Sequence, residues 1–199
     1  MIKLGLVGEG IAKSQSPDLH ERLGASLGVP VRYDLVDSLG VTDFDFPNAI
    51  QKLREEGYRG TNVTFPFKEK AAQLADIRGE GVKRVGTANT LLFDEAGLRA
   101  ENTDYTGFIS AYRHSFGDQP AGDVLLIGAG GVGRAVACAL GELSASCVHI
   151  LEHDERRARS LSHDLNSMGI TAQCITPEQA QRELPQWQGV VNCSPIGHI

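Results

Sequence analysis

The chain has 199 residues, of which 41% are hydrophobic and 22% charged, an ordinary globular composition that excludes a fibre or a disordered tract. Its net charge of −6, from 19 Lys and Arg against 25 Asp and Glu, speaks against nucleic acid as a partner, because that needs a basic face. No apolar run approaches a membrane span, the N-terminal run is too short for a signal peptide, and Cys138, Cys147, Cys174 and Cys193 form no CxxC pair. A cytoplasmic protein with reduced thiols and no metal centre is expected.

In chain order, Lys3 to Val7 reads as a strand ending in the turn Gly8-Glu9-Gly10. Ser16-Pro17 opens a helix, with Ser as its N-cap and Pro in the first turn. Leu19, Leu23 and Leu27 follow at i, i+4, i+8 as one apolar stripe. Val31 to Val36 is a second strand and Asn48 to Glu56 a helix. Thr61 to Thr64 is a third strand, and Lys68 to Leu74 a helix. Ala88 to Phe93 is β-rich, and Glu95-Ala96-Gly97 turns it back into Leu98-Arg99-Ala100.

After Asp104 the pattern changes. Phe108 to His114 reads as a linking helix, and 117–123 as a loop. Val124 to Ile127 is a continuous apolar run, the mark of a strand buried on both faces. Helices over Arg134 to Leu143, Arg156 to Met168 and Pro177 to Leu184 then alternate with strands over Cys147 to Leu151, Ala172 to Ile175 and Gly189 to Asn192. Such alternation predicts a parallel sheet. The fold class is therefore α/β: an N-terminal α/β substrate domain over 1–104, then a Rossmann-type parallel-sheet domain over 105–199.

The chemistry concentrates at Gly128-Ala129-Gly130-Gly131-Val132-Gly133. The pattern G-x-G-x-x-G is weak alone, but here a buried strand precedes it and a helix follows. Gly128 permits the turn, Gly130 lets the backbone approach a pyrophosphate, and Gly133 lets helix and strand pack closely. The phosphates would lie over a helix N-terminus, where free N–H groups and the helix dipole favour negative charge. Glu152, nineteen residues after Gly133, is placed to accept hydrogen bonds from the adenosine ribose. With Asp154 it would repel a 2′-phosphate, which favours NAD over NADP. Arg156 and Arg157 weigh the other way, as phosphate partners or as an exposed helix face. Gly8-Glu9-Gly10 has Lys13 at the third glycine position and is not a second nucleotide site.

Four polar clusters end strands or fill turns in the first half: Ser14 with Ser16, Thr64 with Lys68, Asn89, and Asn102 to Asp104. Taken singly, each has a plain structural reading. Ser14 and Ser16 could be local caps, Asn89 a turn holder, Lys68 a surface lysine and Asp104 an N-cap. Together, Ser14-Gln15-Ser16-Pro17, Asn62-Val63-Thr64-Phe65-Pro66-Phe67-Lys68, Ala88-Asn89-Thr90, Asn102-Thr103-Asp104, the glycine turn and Asn192-Cys193-Ser194-Pro195-Ile196-Gly197 resemble the shikimate dehydrogenases over essentially the whole chain. The Gly8-Glu9-Gly10-Ile11 and Glu152-His153-Asp154 forms are most similar to the NAD-linked quinate/shikimate branch.

The resemblance implies reversible NAD(P)-dependent oxidation of shikimate to 3-dehydroshikimate, with quinate as a second substrate. A catalytically silent shikimate or quinate sensor on the same fold is the alternative from another class. It implies that Ser14 and Ser16 hold the ring carboxylate, and that Thr64, Lys68, Asn89 and Asp104 surround the ring hydroxyls. Lys68 and Asp104 are then the catalytic pair. It adds Asn192, Cys193, Ser194 and Pro195 to the cofactor site beside Ala129, Gly131, Val132 and Arg157. Expected partners are the small-molecule substrate and, as an assembly to test, a homodimer, with neither nucleic acid nor membrane. The resembling enzymes continue for about half a domain further, so weak or absent activity is expected of residues 1–199 alone unless something covers the open sheet edge. His198 replaces a Met usual near the nicotinamide, and Phe65 is bulky beside the substrate cleft.

Overall fold

The structure, a computed structural model, describes residues 1–183 and 186–196. The chain divides into two compact units, Met1–Thr103 and Asp104–Ile199.

The first unit is built on a six-stranded sheet. Its strands are β1 (Ile2–Gly8), β2 (Val31–Asp37), β3 (Gly60–Val63), β4 (Ile77–Arg78), β5 (Thr90–Asp94) and β6 (Gly97–Glu101), in the order β2-β1-β3-β5-β6-β4. β1 is parallel to β2 and β3, whereas the β5–β6 hairpin runs antiparallel to β3. The parallel strands therefore bring Gly8, Asp37 and Val63 to one edge, and the antiparallel β5 brings its first residue, Thr90, to that same edge opposite Asn62. The helices are α1 (Ser16–Ser26), α2 (Phe46–Glu55), α3 (Lys68–Leu74) and α4 (Glu80–Val85). One core joins Val7 and Leu91 of the sheet to Phe46, Ile50 and Leu53 of α2, Ala71 of α3 and Val82 of α4. Burying a Leu or Phe completely stabilises the unit by about 1.5–3 kcal/mol. A smaller cluster, Leu6, Ile11 and Tyr33, forms a second buried group.

Three local expectations change. Ser16 is the first residue of α1, not its N-cap; Gln15 takes that place without a side-chain cap bond. The stripe Leu19, Leu23 and Leu27 faces outward, at 55%, 52% and 76% exposure. The packed side of α1 is instead Ser16, His20 and Gly24. Gly24 decides this, because a Cβ there would meet the Val29 carbonyl and the Val31 side chain. The helix approaches β2 through its smallest residue. Third, β4 and α4 occupy a stretch with no sequence assignment. Six residues flanked by Gly79 and Gly86 and containing Gly81 have little intrinsic helicity, and burial of Val82 and Val85 stabilises the helix. α2 also starts two residues early, where the Asp45 carboxylate accepts the Asn48 N–H at 3.0 Å.

The second unit contains α5 (Thr103–Phe116, its first residue belonging to the first unit), β7 (Gly122–Ile127), α6 (Gly131–Glu142), β8 (Ala145–Leu151), α7 (Glu155–Ser167), β9 (Ala172–Cys174), α8 (Pro177–Glu183) and β10 (Gly189–Asn192). Its sheet is parallel throughout, in the order β10-β7-β8-β9. The order turns back between β7 and β10, the crevice where open α/β sheets bind ligands. The run Ala135-Val136-Ala137-Cys138-Ala139-Leu140 of α6 is buried, its small side chains letting the helix lie close to the sheet. The predicted end of α8 at Leu184 lies outside the described residues. Among the described residues no helix is long and apolar enough to cross a membrane, and none of the four cysteines forms a disulfide.

Candidate functional site

In the first unit, the polar clusters gather around the edge where β1 and β3 end. Ser14, Ser16, Thr64, Lys68 and Asn89 are all half-buried, neither locked in the core nor fully solvated. Gly8 makes room for Thr64, since a Cβ there would collide with the threonine methyl group. The Thr64 N–H donates to the Val7 carbonyl at 3.0 Å. Lys68 opens α3, and its carbonyl accepts the Ala88 N–H at 2.9 Å, holding the lysine backbone next to the 88–90 turn. The Phe65–Pro66 bond is cis, and Phe65 is exposed.

A chain of hydrogen bonds and one ring stack connects the serines to Asn89. The Ser16 N–H donates to the Ser14 hydroxyl at 3.2 Å, and the Ser16 carbonyl bonds His20 Nδ1 at 2.8 Å. The His20 ring stacks on Tyr33, with centroids 4.6 Å apart. The Tyr33 hydroxyl donates to Asn62 Oδ1 at 2.8 Å, and Asn62 Nδ2 donates to Thr90 Oγ1 at 3.1 Å. Thr90 Oγ1 then donates to Asn89 Oδ1 at 3.0 Å, and that oxygen also accepts the Thr103 N–H at 2.9 Å. Burial pushes the Tyr33 phenol up to about 12, so it stays a donor at neutral pH, although its bond with Ser16 pulls the other way. Asn102, fully buried, donates to the Thr87 carbonyl at 2.9 Å and pins the adjacent turn.

His20, Tyr33 and Asn62 were not read as functional from the sequence. Asn62 carried a signal: a poor strand former inside β3, paired with Leu6 on one side and Thr90 on the other. The Gly8-Glu9-Gly10 turn is closed to a nucleotide by its own chain. Asp37 accepts the N–H groups of Gly10 at 2.8 Å and Ile11 at 3.0 Å. The Leu39 N–H, with those of Gly10 and Ile11, holds the Asp37 carboxyl below its usual range, against a smaller effect of burial.

In the second unit, the glycine turn links β7 to α6 at the crevice. Gly128 has φ 97°, a left-handed conformation that favours glycine, and a Cβ there would press on the Cys193–Ser194 peptide at 3.0 Å. A Cβ on Gly133 would collide with the Gly128 carbonyl. Gly130 is different: nothing lies within 4 Å of its missing Cβ, so its bare backbone faces open space. Gly130 is the N-cap of α6 and has no side chain to bond the first-turn N–H groups. The cleft beside it has a volume of about 840 Å³ and is lined by Gly128, Gly130, Glu152, Arg157, Thr176 and Ser194 among others. An open backbone over a helix N-terminus fits a pyrophosphate.

Glu152 is almost enclosed, its side chain 6% exposed. Oε2 accepts the Ala129 N–H at 2.8 Å, Oε1 accepts the Asp154 N–H at 3.1 Å, and His153 Nδ1 lies 2.6 Å from Oε1. Burial alone would raise this carboxyl. The two backbone donors and His153 outweigh it, so the group is held below the usual range and remains anionic. Asp154 caps α7, accepting the N–H groups of Arg156 at 3.0 Å and Arg157 at 3.3 Å, and its carboxylate pairs with Arg157 at 3.5 Å. The segment after β10 folds on itself: Asn192 Oδ1 accepts from the Ser194 N–H at 3.0 Å and hydroxyl at 2.7 Å, and Asn192 Nδ2 donates to the Ile196 carbonyl. Pro195 lines the cleft with Cys193. Burial, with the Asp104 charge, pushes the Cys193 thiol up to about 11. Asp104 is half-buried in the first turn of α5. Gly197 and His198 lie outside the described residues.

Known proteins match both units. Residues 6–91 match the family described as the shikimate dehydrogenase substrate binding domain. The quinate/shikimate dehydrogenase (NAD(+)) of Corynebacterium efficiens is 34% identical, the alignment covering 100% of this chain and 72% of that one. The shikimate dehydrogenase (NADP(+)) of Pseudarthrobacter chlorophenolicus is 30% identical over 98% of this chain and 68% of its own. Among solved structures, quinate dehydrogenase from Corynebacterium glutamicum in complex with NAD superimposes with a TM-score of 0.88 at 29% identity, covering 98% of this chain and 71% of that one. Shikimate 5-dehydrogenase from Thermus thermophilus in complex with NADP(H) and shikimate gives 0.81 at 30% identity, over 99% and 70%. With these identities along nearly its whole length, the chain belongs to the shikimate dehydrogenase family.

Proposed function

We propose that the protein catalyses the reversible NAD(P)-dependent oxidation of shikimate to 3-dehydroshikimate. The observation that carries this reading is the joint presence of an open glycine turn and the Ser14, Ser16, Thr64, Lys68 and Asn89 cluster, in a chain 34% identical to a quinate/shikimate dehydrogenase. Hydroxyl and amide groups at that edge suit a polyhydroxy acid. Ser14 and Ser16 are proposed to bind its carboxylate, and Thr64, Lys68, Asn89 and Asp104 its hydroxyls. The dinucleotide, when bound, supplies the hydride acceptor. The residues of this chain handle the proton. As the carbinol carbon loses hydride, the hydroxyl proton passes to the Lys68 amine in its uncharged form, with Asp104 as partner to the ammonium so formed; in reduction that ammonium returns the proton to the alkoxide.

NAD is the proposed preferred cofactor. Glu152 keeps a negative charge at the cleft, which opposes a 2′-phosphate, and the Corynebacterium relatives are NAD-linked by name. Asp154 and Arg157 are satisfied by each other and by the α7 cap, so they contribute less to the choice than Glu152. Quinate is the second substrate to test, since one of those relatives is a quinate dehydrogenase by name. Steady-state assays with shikimate and quinate, each with NAD and NADP, decide among these. Shikimate with NAD should give the highest kcat/KM. The absence of both turnover and saturable binding with either acid would overturn the reading.

A further inference from the structure

At the other ends of β7 and β8, away from the glycine turn, three side chains with metal-binding chemistry converge. Asp123 and Cys147 are register partners on the two parallel strands. An irregularity between Gly122 and Asp123 shifts the register at this point, the kind of bulge that re-aims a side chain. His149 is two residues beyond Cys147, on the same face of β8. The ligand atoms of Asp123, Cys147 and His149 all lie within 4.8 Å of one another, and His149 Nε2 is 3.6 Å from Asp123 Oδ1. A tetrahedral ion with bonds of about 2.0–2.3 Å separates its ligands by roughly 3.3–3.8 Å, so small rotations of the half-exposed Asp123 and Cys147 side chains would close the set.

The surroundings support a ligating histidine. Gln173, in register with His149 on β9, bonds Nδ1 at 3.0 Å. Its amide can present either oxygen or nitrogen, and with oxygen toward Nδ1–H it leaves Nε2 free to ligate. Ligating histidines are held in this way by a second partner. The Trp187 ring, 5.8 Å from the imidazole, borders the cluster, and His149 is itself buried. From this geometry we propose that Asp123, Cys147 and His149 bind a first-row divalent cation, zinc by ligand type, with water as the fourth ligand. Binding exchanges the Cys147 thiol proton for the cation. Asp123 is four residues from the end of β7, about 13 Å along the strand from the glycine turn. The ion therefore staples two strands and takes no part in hydride transfer. This departs from the metal-free expectation of the sequence.

Cobalt(II) is the probe, added to chelator-treated protein and read by its thiolate charge-transfer absorption. One equivalent per chain should produce the band, and zinc should abolish it. Cys147→Ser should remove the band, His149→Ala should remove saturable binding, and Gln173→Ala should weaken it about 10- to 100-fold. NAD binding should not change in Cys147→Ser. No band in the wild type, or an equal band in Cys147→Ser, would overturn the proposal. Should either variant fail to fold, alkylation of the wild type decides. Zinc should protect Cys147 and leave the exposed Cys174 reactive; equal labelling of Cys147 with and without zinc overturns the site.

Discussion

Glu152 performs two tasks with one carboxylate. It accepts the Ala129 N–H, which shapes the glycine turn, and it places a negative charge in the cofactor cleft. Glu152→Gln removes the charge and nearly preserves the volume, but its single oxygen can replace only one of the two acceptors that bond the Ala129 and Asp154 N–H groups. The ratio of kcat/KM for NAD over NADP should fall roughly tenfold, the equivalent of about 1.4 kcal/mol; an unchanged ratio would assign the choice of cofactor elsewhere. The same group gives stability a pH dependence. Its carboxyl is held below the ordinary value of 4.5, so its contribution is present in full above that pH and is lost as pH falls through the lowered value. Denaturant midpoints of the wild type should therefore fall more steeply than those of Glu152→Gln below about pH 4.5. Lys68→Ala should lower kcat by about 10²–10⁴-fold, far more than it raises KM. A change in KM alone would mean that Lys68 only binds. Asn62→Ala cuts the chain between Tyr33 and Thr90 without touching Lys68. It should raise KM for shikimate and leave KM for NAD unchanged, as separate titrations of the two would show.

The elements show how far local pattern reaches. The alternating strands and helices of the second half were legible because β7 is a continuous apolar run and the glycine turn marks the start of α6. In α1 the period was legible and the phase was not. Leucines at i, i+4, i+8 resemble a core stripe, yet Gly24 permits an approach to β2 that no leucine permits, and this rotates the helix by about one residue, or 100°. α4 was illegible because burial, not propensity, makes it helical. Two substitutions test these readings. Gly24→Leu should destabilise the unit strongly, whereas Leu23→Lys, on the exposed face, should change stability by about 0.5 kcal/mol or less. Thermal melts of the two variants decide; a severe loss in Leu23→Lys would put that leucine in the core. For α2, Asp45→Ala should cost about 1 kcal/mol through loss of the cap.

Across the whole molecule, the two units divide the proposed ligands. The polyol cluster lies mostly in Met1–Thr103, and the dinucleotide cleft in Asp104–Ile199. A ligand present at 100 times its Kd stabilises what it binds by about 2.7 kcal/mol. Hydrogen exchange should therefore slow in the first unit with shikimate and in the second with NAD. Protection of the first unit alone by both ligands would contradict the assignment.

By itself, the sequence determined the order of most elements, the glycine turn with its acid, and the identity of the polar clusters. Each of these is written in neighbouring residues: an apolar run, a spacing of glycines, a short motif. Tertiary structure decided which face of α1 is buried, that Asp37 fills the first glycine turn, that Glu152 braces the second, and that Asn62 joins Ser16 to Asn89. It also brought Asp123, Cys147 and His149 together across two strands. These outcomes depend on which backbone N–H groups and side chains meet across strands distant in sequence, and close packing and hydrogen bonding settle that only once the sheet has formed.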